Sequence, residues 1–196
     1  MIPFLYLLYF LSGAAALAYQ VVWVRSLQLI FGGSHFAVTA VLSVFMAGLA
    51  LGSRILGKRV DTFRRPLRLY GILEIGIAIF AVLFLLLTIF YPYIYVPLAR
   101  VAEENTLYLS LLRIVFAVIA MIVPTTMMGG TLPVLAKFAS EHSREAGEHV
   151  SFLYGFNTLG AMAGTLLAGF VLLPRFSVIG TSAIAIATNV FIGFSS

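Results

Sequence analysis

Residues 69–91 read LYGILEIGIAIFAVLFLLLTIFY, and this stretch decides the fold class of the chain. Its only charged residue is Glu74, and the rest is almost entirely aliphatic or aromatic. A helix that crosses a bilayer needs about 20 mainly apolar residues, and this run is long enough to provide them. The stretch therefore predicts a transmembrane α-helix.

The composition extends this interpretation to the whole chain of 196 residues. Hydrophobic residues make up 62% and charged residues 10%, with a mean hydropathy of +1.09. Soluble domains carry roughly 45–50% apolar and about 25% charged residues. This balance excludes a soluble globule, a disordered chain and a nucleic-acid-binding domain. The first partner that the sequence predicts is the lipid bilayer, and nucleic acid is not expected.

Apolar runs and their interruptions predict an all-α membrane protein with six spans, which form one integral membrane domain over residues 1–196. The spans cover about residues 3–30, 36–55, 69–91, 107–136, 150–173 and 178–196. The first run is interpreted as a retained span. A secretory signal has its basic residues before the apolar run, whereas the first base here, Arg25, follows it.

The distribution of Lys and Arg predicts how the spans are oriented. The loops after spans two and four carry the larger basic set: Arg54, Lys58, Arg59, Arg64, Arg65, Arg68, Lys137 and Arg144. The other side has Arg25, Arg100, Arg113 and Arg175. Because basic residues accumulate in cytoplasmic loops, both termini are expected in the cytoplasm. This topology fits a prokaryotic inner membrane best.

Five polar residues in the half of the spans nearest the predicted cytoplasm are expected to face inward as one cluster. Glu74 lies in span three, Asn157 in span five, and three threonines in span four: Thr125, Thr126 and Thr131. Glu74 and Asn157 are each roughly 10 Å deep at 1.5 Å rise per residue. Polar groups at such depth are costly and often functional. We expect a small polar or cationic substrate there, with Glu74 as the counter-charge. Alternatively, Glu74 pairs with Arg68 and Asn157 joins two helices.

A second polar layer is predicted near the opposite membrane surface. It consists of Gln20 and Arg25 at the outer end of span one and Arg113 in span four. Long arginine side chains can instead reach the interface along an apolar surface. Substrate binding and such interfacial placement both remain open from the sequence.

Span four contains the segment PTTMMGGTLP at residues 124–133, which predicts a helix break. Pro124 and Pro133 each remove a backbone donor, while Gly129 and Gly130 permit non-helical backbone. Irregular backbone at membrane depth is tolerated where protein or a wet cavity satisfies it, and such breaks often mark transporter sites. The alternative is a proline kink that fits the bundle.

Small residues at helical spacing predict close helix packing. Gly48 and Gly52 form one such stripe in span two, and Gly160, Gly164 and Ala168 form another in span five. They indicate packing seams within one bundle or, alternatively, a homodimer face.

The sequence contains no motif that points to catalysis, a cofactor or a metal. G-x-G-x-x-G, Walker-type and H-E-x-x-H patterns are absent, and no nucleophile lies in a pattern with a base. Zero cysteines exclude thiolate ligands. His142 and His149 share a charged loop with three glutamates, which is more typical of a solvated helix face than of a metal site.

Three stretches together carry a family resemblance: LSGAAALAYQVVWVR at residues 11–25, MMGGTLP at 127–133 and LYGFNTLGA at 153–161, with GLALG at 48–52 between the first two. In this order they resemble the membrane domain of fused spermidine-synthase-like proteins. In that family a major-facilitator-like module is joined to a polyamine aminopropyltransferase domain. The resemblance implies a non-catalytic module that anchors or feeds an aminopropyltransferase-like partner, because this sequence stops before such a domain.

The loop GKRVDTFRR at residues 57–65 is similar to the gate loop between spans two and three of major-facilitator transporters. Gly57, Asp61 and Arg65 match, while Arg64 replaces the usual second glycine. The similarity implies half of a transporter, which would work as a dimer, with these residues at its gate. A third interpretation is a structural subunit of a larger membrane complex.

Overall fold

The computed structural model describes the backbone of residues 2–31, 35–101, 106–142 and 146–196, and these residues are almost entirely helical. The elements are α1 (Ile2–Phe31), α2 (His35–Arg59), a 3₁₀ turn (Val60–Thr62), α3 (Pro66–Val101), α4 (Thr106–His142), α5 (Ala146–Leu167), a π-helical turn (Ala168–Leu172) and α6 (Leu173–Ser195). The all-α prediction is confirmed. α3 continues ten residues past the predicted end of span three, through Pro92 and Pro97.

Five helical segments in the described ranges are long and apolar enough to cross a membrane. The last of them, Gly147–Ser195, is 49 residues long and contains both α5 and α6. Its backbone leaves helical geometry at Ser177, where φ is 59° and ψ is −175°.

The packing shows how the helices run relative to one another. α5 lies along α1 in the same direction, since Gly160 faces Phe10 and Gly164 faces Ala14. α6 lies along α3 in the opposite direction: Asn189 bonds to Glu74, while Gly193 approaches Gly71 at the earlier turn of α3. Aromatic packing fills the centre of the bundle. Trp23 lies 5.6 Å from Tyr19 and 5.1 Å from Phe84 between ring centroids.

The predicted small-residue stripes are packing seams inside this bundle. A side chain at Gly48 or Gly52 of α2 would collide with α4, and one at Gly160 or Gly164 of α5 would collide with the backbone of α1. The facing residues are Thr125 and Thr126 of α4, and Phe10 and Ala14 of α1. The alternative that these stripes form a homodimer face is therefore wrong.

The predicted break in span four is also wrong, because α4 is a continuous helix through Pro124 and Pro133. Neighbouring hydroxyls bond to carbonyls in the turn before Pro124. The Thr125 hydroxyl donates to the carbonyl of Met121 (2.7 Å), and the Thr126 hydroxyl donates to that of Ile122 (2.6 Å). Neither carbonyl is that of Ala120, which loses its amide donor to Pro124; α4 nevertheless stays helical, as transmembrane helices do where packed neighbours and local backbone adjustments compensate.

The double glycine of α4 serves close packing instead of a break. A Cβ atom at Gly129 would collide with the backbone of Leu49, and one at Gly130 with the side chain of Leu56. Both glycines therefore let α2 lie close to the backbone of α4, which is helical on both sides of them.

Candidate functional site

Glu74 is the centre of a polar network where α1, α3 and α6 meet. Its side chain is completely buried. Oε1 accepts a hydrogen bond from the Ser12 hydroxyl, and Oε2 accepts one from the Asn189 amide, each at 2.6 Å. No lysine, arginine or histidine forms an ion pair with it in the part of the chain that the structure describes. A buried carboxylate without a counter-charge is costly, which makes Glu74 a candidate for ligand binding.

Two tyrosines extend this network towards α4. Tyr70 precedes Glu74 by one helical turn, and its hydroxyl makes a long bond of 3.5 Å to the carbonyl of Leu8. Its ring meets that of Tyr9 edge to face, with centroids 6.2 Å apart. The Tyr9 hydroxyl lies 3.4 Å from that of Thr131 in α4. Polar groups thus continue from the buried carboxylate across the bundle.

A cavity of about 270 Å³ lies beside this network, between α1, α2, α4 and α5. Its polar lining residues are Tyr9, Ser12, Ser53, Thr131, Tyr154 and Asn157, among apolar residues that include Phe45. Ser12 belongs to both features, because it lines the cavity and donates to Glu74. The carboxylate therefore lies directly behind one wall of the cavity.

The residues of the predicted inner cluster occupy different places, and of these five Thr131 and Asn157 line the cavity. Glu74 is buried behind Ser12, whereas half-buried Asn157 packs against Gly13 of α1 and lines the cavity. Thr126 is not among the cavity residues; it lies in the seam between α2 and α4 and bonds to its own helix. Thus Ser12 links Glu74 to the cavity that Asn157 lines, and Thr126 lies apart.

The three residues predicted for the second layer are placed as follows. Gln20 and Arg113 are half-buried and Arg25 is exposed. Arg25 lines a different cavity of about 530 Å³, whose lining also includes Ser177, the residue of α6 with non-helical backbone. This cavity shares no lining residue with the one beside Glu74.

The predicted gate loop contacts the end of α4. Asp61 Oδ1 lies 3.4 Å from Nζ of Lys137, which also lies 3.3 Å from Glu141 Oε1. A Cβ atom built at Gly57 would lie 4.0 Å from Pro133 Cγ, and Arg65 is exposed. The pairing of Asp61 with Lys137 was not predicted, although a base at the end of span four was the available signal.

The partners of Glu74 were not predicted either. Asn189 lies within the last apolar run, and a lone amide there was a readable signal. Ser12 carries no comparable signal, because a serine in a span is as readily a small packing residue as a donor. In the described ranges, no three metal-binding side chains lie together, and His149 Nδ1 is 2.6 Å from the Tyr6 hydroxyl.

Comparisons with family models, with curated proteins and with solved structures found no match to this chain. The resemblance to the membrane domain of spermidine-synthase-like fusion proteins therefore stays a prediction, and the function is inferred from the site itself.

Proposed function

We propose that this chain is a six-span, non-catalytic membrane module that binds a small amine-bearing cation beside Glu74 and supplies it to an aminopropyltransferase-like partner. The observation that carries the proposal is the fully buried Glu74 carboxylate, which has two hydrogen-bond donors and no cationic partner among the described residues. An ammonium group would provide the missing charge.

The count of six spans is supported by the backbone at Ser177. The 49-residue helical segment leaves helical geometry there, and α6 then runs against α3 while α5 runs along α1. Because α1 and α3 run in the same direction, as the Ser12–Glu74 and Leu8–Tyr70 contacts indicate, α5 and α6 would cross the membrane in opposite directions.

The cavity suits a small ligand in size and lining. Sites for drug-sized molecules measure about 300–1,000 Å³, and this cavity is slightly smaller. Tyr9 and Phe45 provide aromatic rings that attract ammonium groups. The ligand amine would replace the Ser12 hydroxyl at Oε1 of Glu74, while the oxygens of Thr131 and Asn157 accept further hydrogen bonds.

Equilibrium binding of spermidine and putrescine to the purified protein tests this proposal. Glu74→Gln should weaken binding by about 30-fold or more, because truncating one partner of a buried charge pair costs about 2–5 kcal/mol. Exposed Glu148 provides the control, and Glu148→Gln should bind like the wild type. Amine binding that Glu74→Gln leaves unchanged would refute the site.

The partner is tested separately by purification from native membranes in mild detergent, followed by mass spectrometry of the proteins that remain bound. A stoichiometric protein with an aminopropyltransferase-like domain is the expected result. A protein that binds amines but purifies alone would refute the supply role and retain the binding site.

A second candidate function, half of a transporter that works as a dimer, is favoured by the pairing of the helices. α2 packs on α4 through glycines, and α5 packs on α1 in the same way. The middle helix of each three-helix half thus packs on the first helix of the other half, so the two halves repeat one arrangement. Inverted repeats of this kind occur in transporters. Amine flux into proteoliposomes that is lost in Asp61→Asn but kept in Glu148→Gln would support this function. No flux of any amine or organic cation would count against it.

A further inference from the structure

The surface around the start of α3 is strongly basic. Arg54, Lys58, Arg59, Arg64, Arg65 and Arg68 lie within 15 residues and are all exposed. None of them forms an ion pair in the described part of the chain. The one acidic residue of this stretch, Asp61, is paired with Lys137. The six positive charges are therefore available to an external anion.

Three of these arginines surround a cavity at the entrance to α3. It measures about 350 Å³ and is lined by Phe63, Arg64, Arg65, Arg68, Leu69 and Ile72. α3 begins at Pro66, and its first backbone bond runs from Leu69 N to the carbonyl of Arg65 at 3.2 Å. The positive end of the helix dipole thus adds to the arginine charges at this cavity.

An apolar groove continues from this cavity along α3. It has a volume of about 390 Å³, and its lining includes Ile75, Ile79 and Met127. Arg68 and Ile72 line both the cavity and the groove. Gly71 and Gly76 also line the groove and add no side chain to fill it.

We propose that these two connected depressions bind one anionic phospholipid. The phosphate would lie among Arg64, Arg65 and Arg68, whose guanidinium groups can each donate two parallel hydrogen bonds to phosphate oxygens. An acyl chain would lie in the groove between Ile72 and Ile79. A free phosphate uses only the first depression and a neutral lipid only the second, whereas an anionic phospholipid uses both.

Native mass spectrometry of the full chain, with phosphatidylglycerol or phosphatidylcholine added to the detergent, tests this site. We expect retained phosphatidylglycerol and little phosphatidylcholine. The triple variant Arg64→Ala, Arg65→Ala, Arg68→Ala should bind phosphatidylglycerol about 100-fold more weakly, since it removes the charge-assisted hydrogen bonds from three guanidinium groups to the phosphate. If that variant does not fold, Arg68→Ala alone should still bind several-fold more weakly.

The matched control removes the same charge outside the cavity through Arg54→Ala, Lys58→Ala and Arg59→Ala. This control should keep binding within about threefold of the wild type; an equal loss in both triple variants would mean diffuse charge attraction and overturn the site. Competition by glycerol phosphate or inorganic phosphate at the concentrations that the lipid requires would show that the groove plays no part. That outcome, or equal retention of both lipids, also overturns the proposal.

Discussion

The bundle joins its helices in two different ways, and the contrast shows how a protein with no hydrophobic force between helices is held together. The seams between α2 and α4 and between α1 and α5 have glycines that bring backbones into contact. The junction of α1, α3 and α6 instead contains a buried carboxylate with two short hydrogen bonds. Close packing and interhelical hydrogen bonds are the two means of association in lipid. Close packing leaves no room for added atoms, whereas interhelical hydrogen bonds require matched donors and acceptors.

The largest effect is expected where the seam is tightest. Gly52→Val should lower the free energy of unfolding by about 3 kcal/mol, because its side chain would collide with the backbone carbonyl of Thr126. The measurement is an unfolding titration in mixed detergent micelles. Gly155 is the matched control on α5, since no atom lies within 4 Å of a Cβ atom built there. Gly155→Val should therefore change stability little, and equal losses in both variants would contradict the seam.

Two substitutions of Glu74 should separate shape from charge at the polar junction. Glu74→Ala should lower stability by about 2 kcal/mol, because it leaves the buried donors of Ser12 and Asn189 unsatisfied. Glu74→Gln should cost less than about 1 kcal/mol. The Oδ1 atom of Asn189 is buried and accepts no hydrogen bond in the described chain, so a flipped Asn189 amide can accept a hydrogen bond from the introduced glutamine. The same titration checks both values, and a larger loss for Glu74→Gln would mean that the negative charge itself stabilises the fold.

The sequence predicted the seams better than the junction, for a physical reason. Two glycines four residues apart give a helix a face without side chains, and such a face allows another helix to pack closely against it. The burial of Glu74 was also readable from its depth. The hydrogen-bond partners of Glu74 were not predicted. They depend on how α1 and α6 are rotated and shifted against α3, and the sequence does not specify this.

The predicted break in α4 is wrong because the prediction considered the helix propensities of proline and glycine without the contacts between α4 and the other helices. Proline and glycine weaken an isolated helix. In the bundle, α4 stays helical through both prolines, and its glycines are needed for contact with α2. The departure from helical geometry occurs instead at Ser177, within the interruption that the sequence predicts between spans five and six.

A smaller effect is expected at Ser177, which lies at the start of the segment that carries Asn189 back to Glu74. Its φ of 59° with ψ of −175° falls in a region that is essentially restricted to glycine. Ser177→Gly should raise the free energy of unfolding by about 1 kcal/mol by relieving that strain. Ser182→Gly, in the regular part of α6, should lower it because glycine weakens a helix interior. Destabilisation by both substitutions would contradict the claim that the backbone at Ser177 is strained.

The smallest effect is expected at the surface, where neither close packing nor burial strengthens a contact. The Asp61 side chain is 87% exposed, although its partner Lys137 is only 13% exposed. An ion pair with one solvated partner contributes little, so Asp61→Asn should lower stability by about 0.5 kcal/mol at low salt and by less at high salt. Unfolding titrations at two salt concentrations measure this difference, with Lys58→Ala as a control, since exposed Lys58 forms no ion pair among the described residues. A loss as large as that of Glu74→Ala would mean that the loop is a structural element of the bundle. A small loss of stability, together with a complete loss of amine flux in the same variant, would instead place Asp61 at a gate.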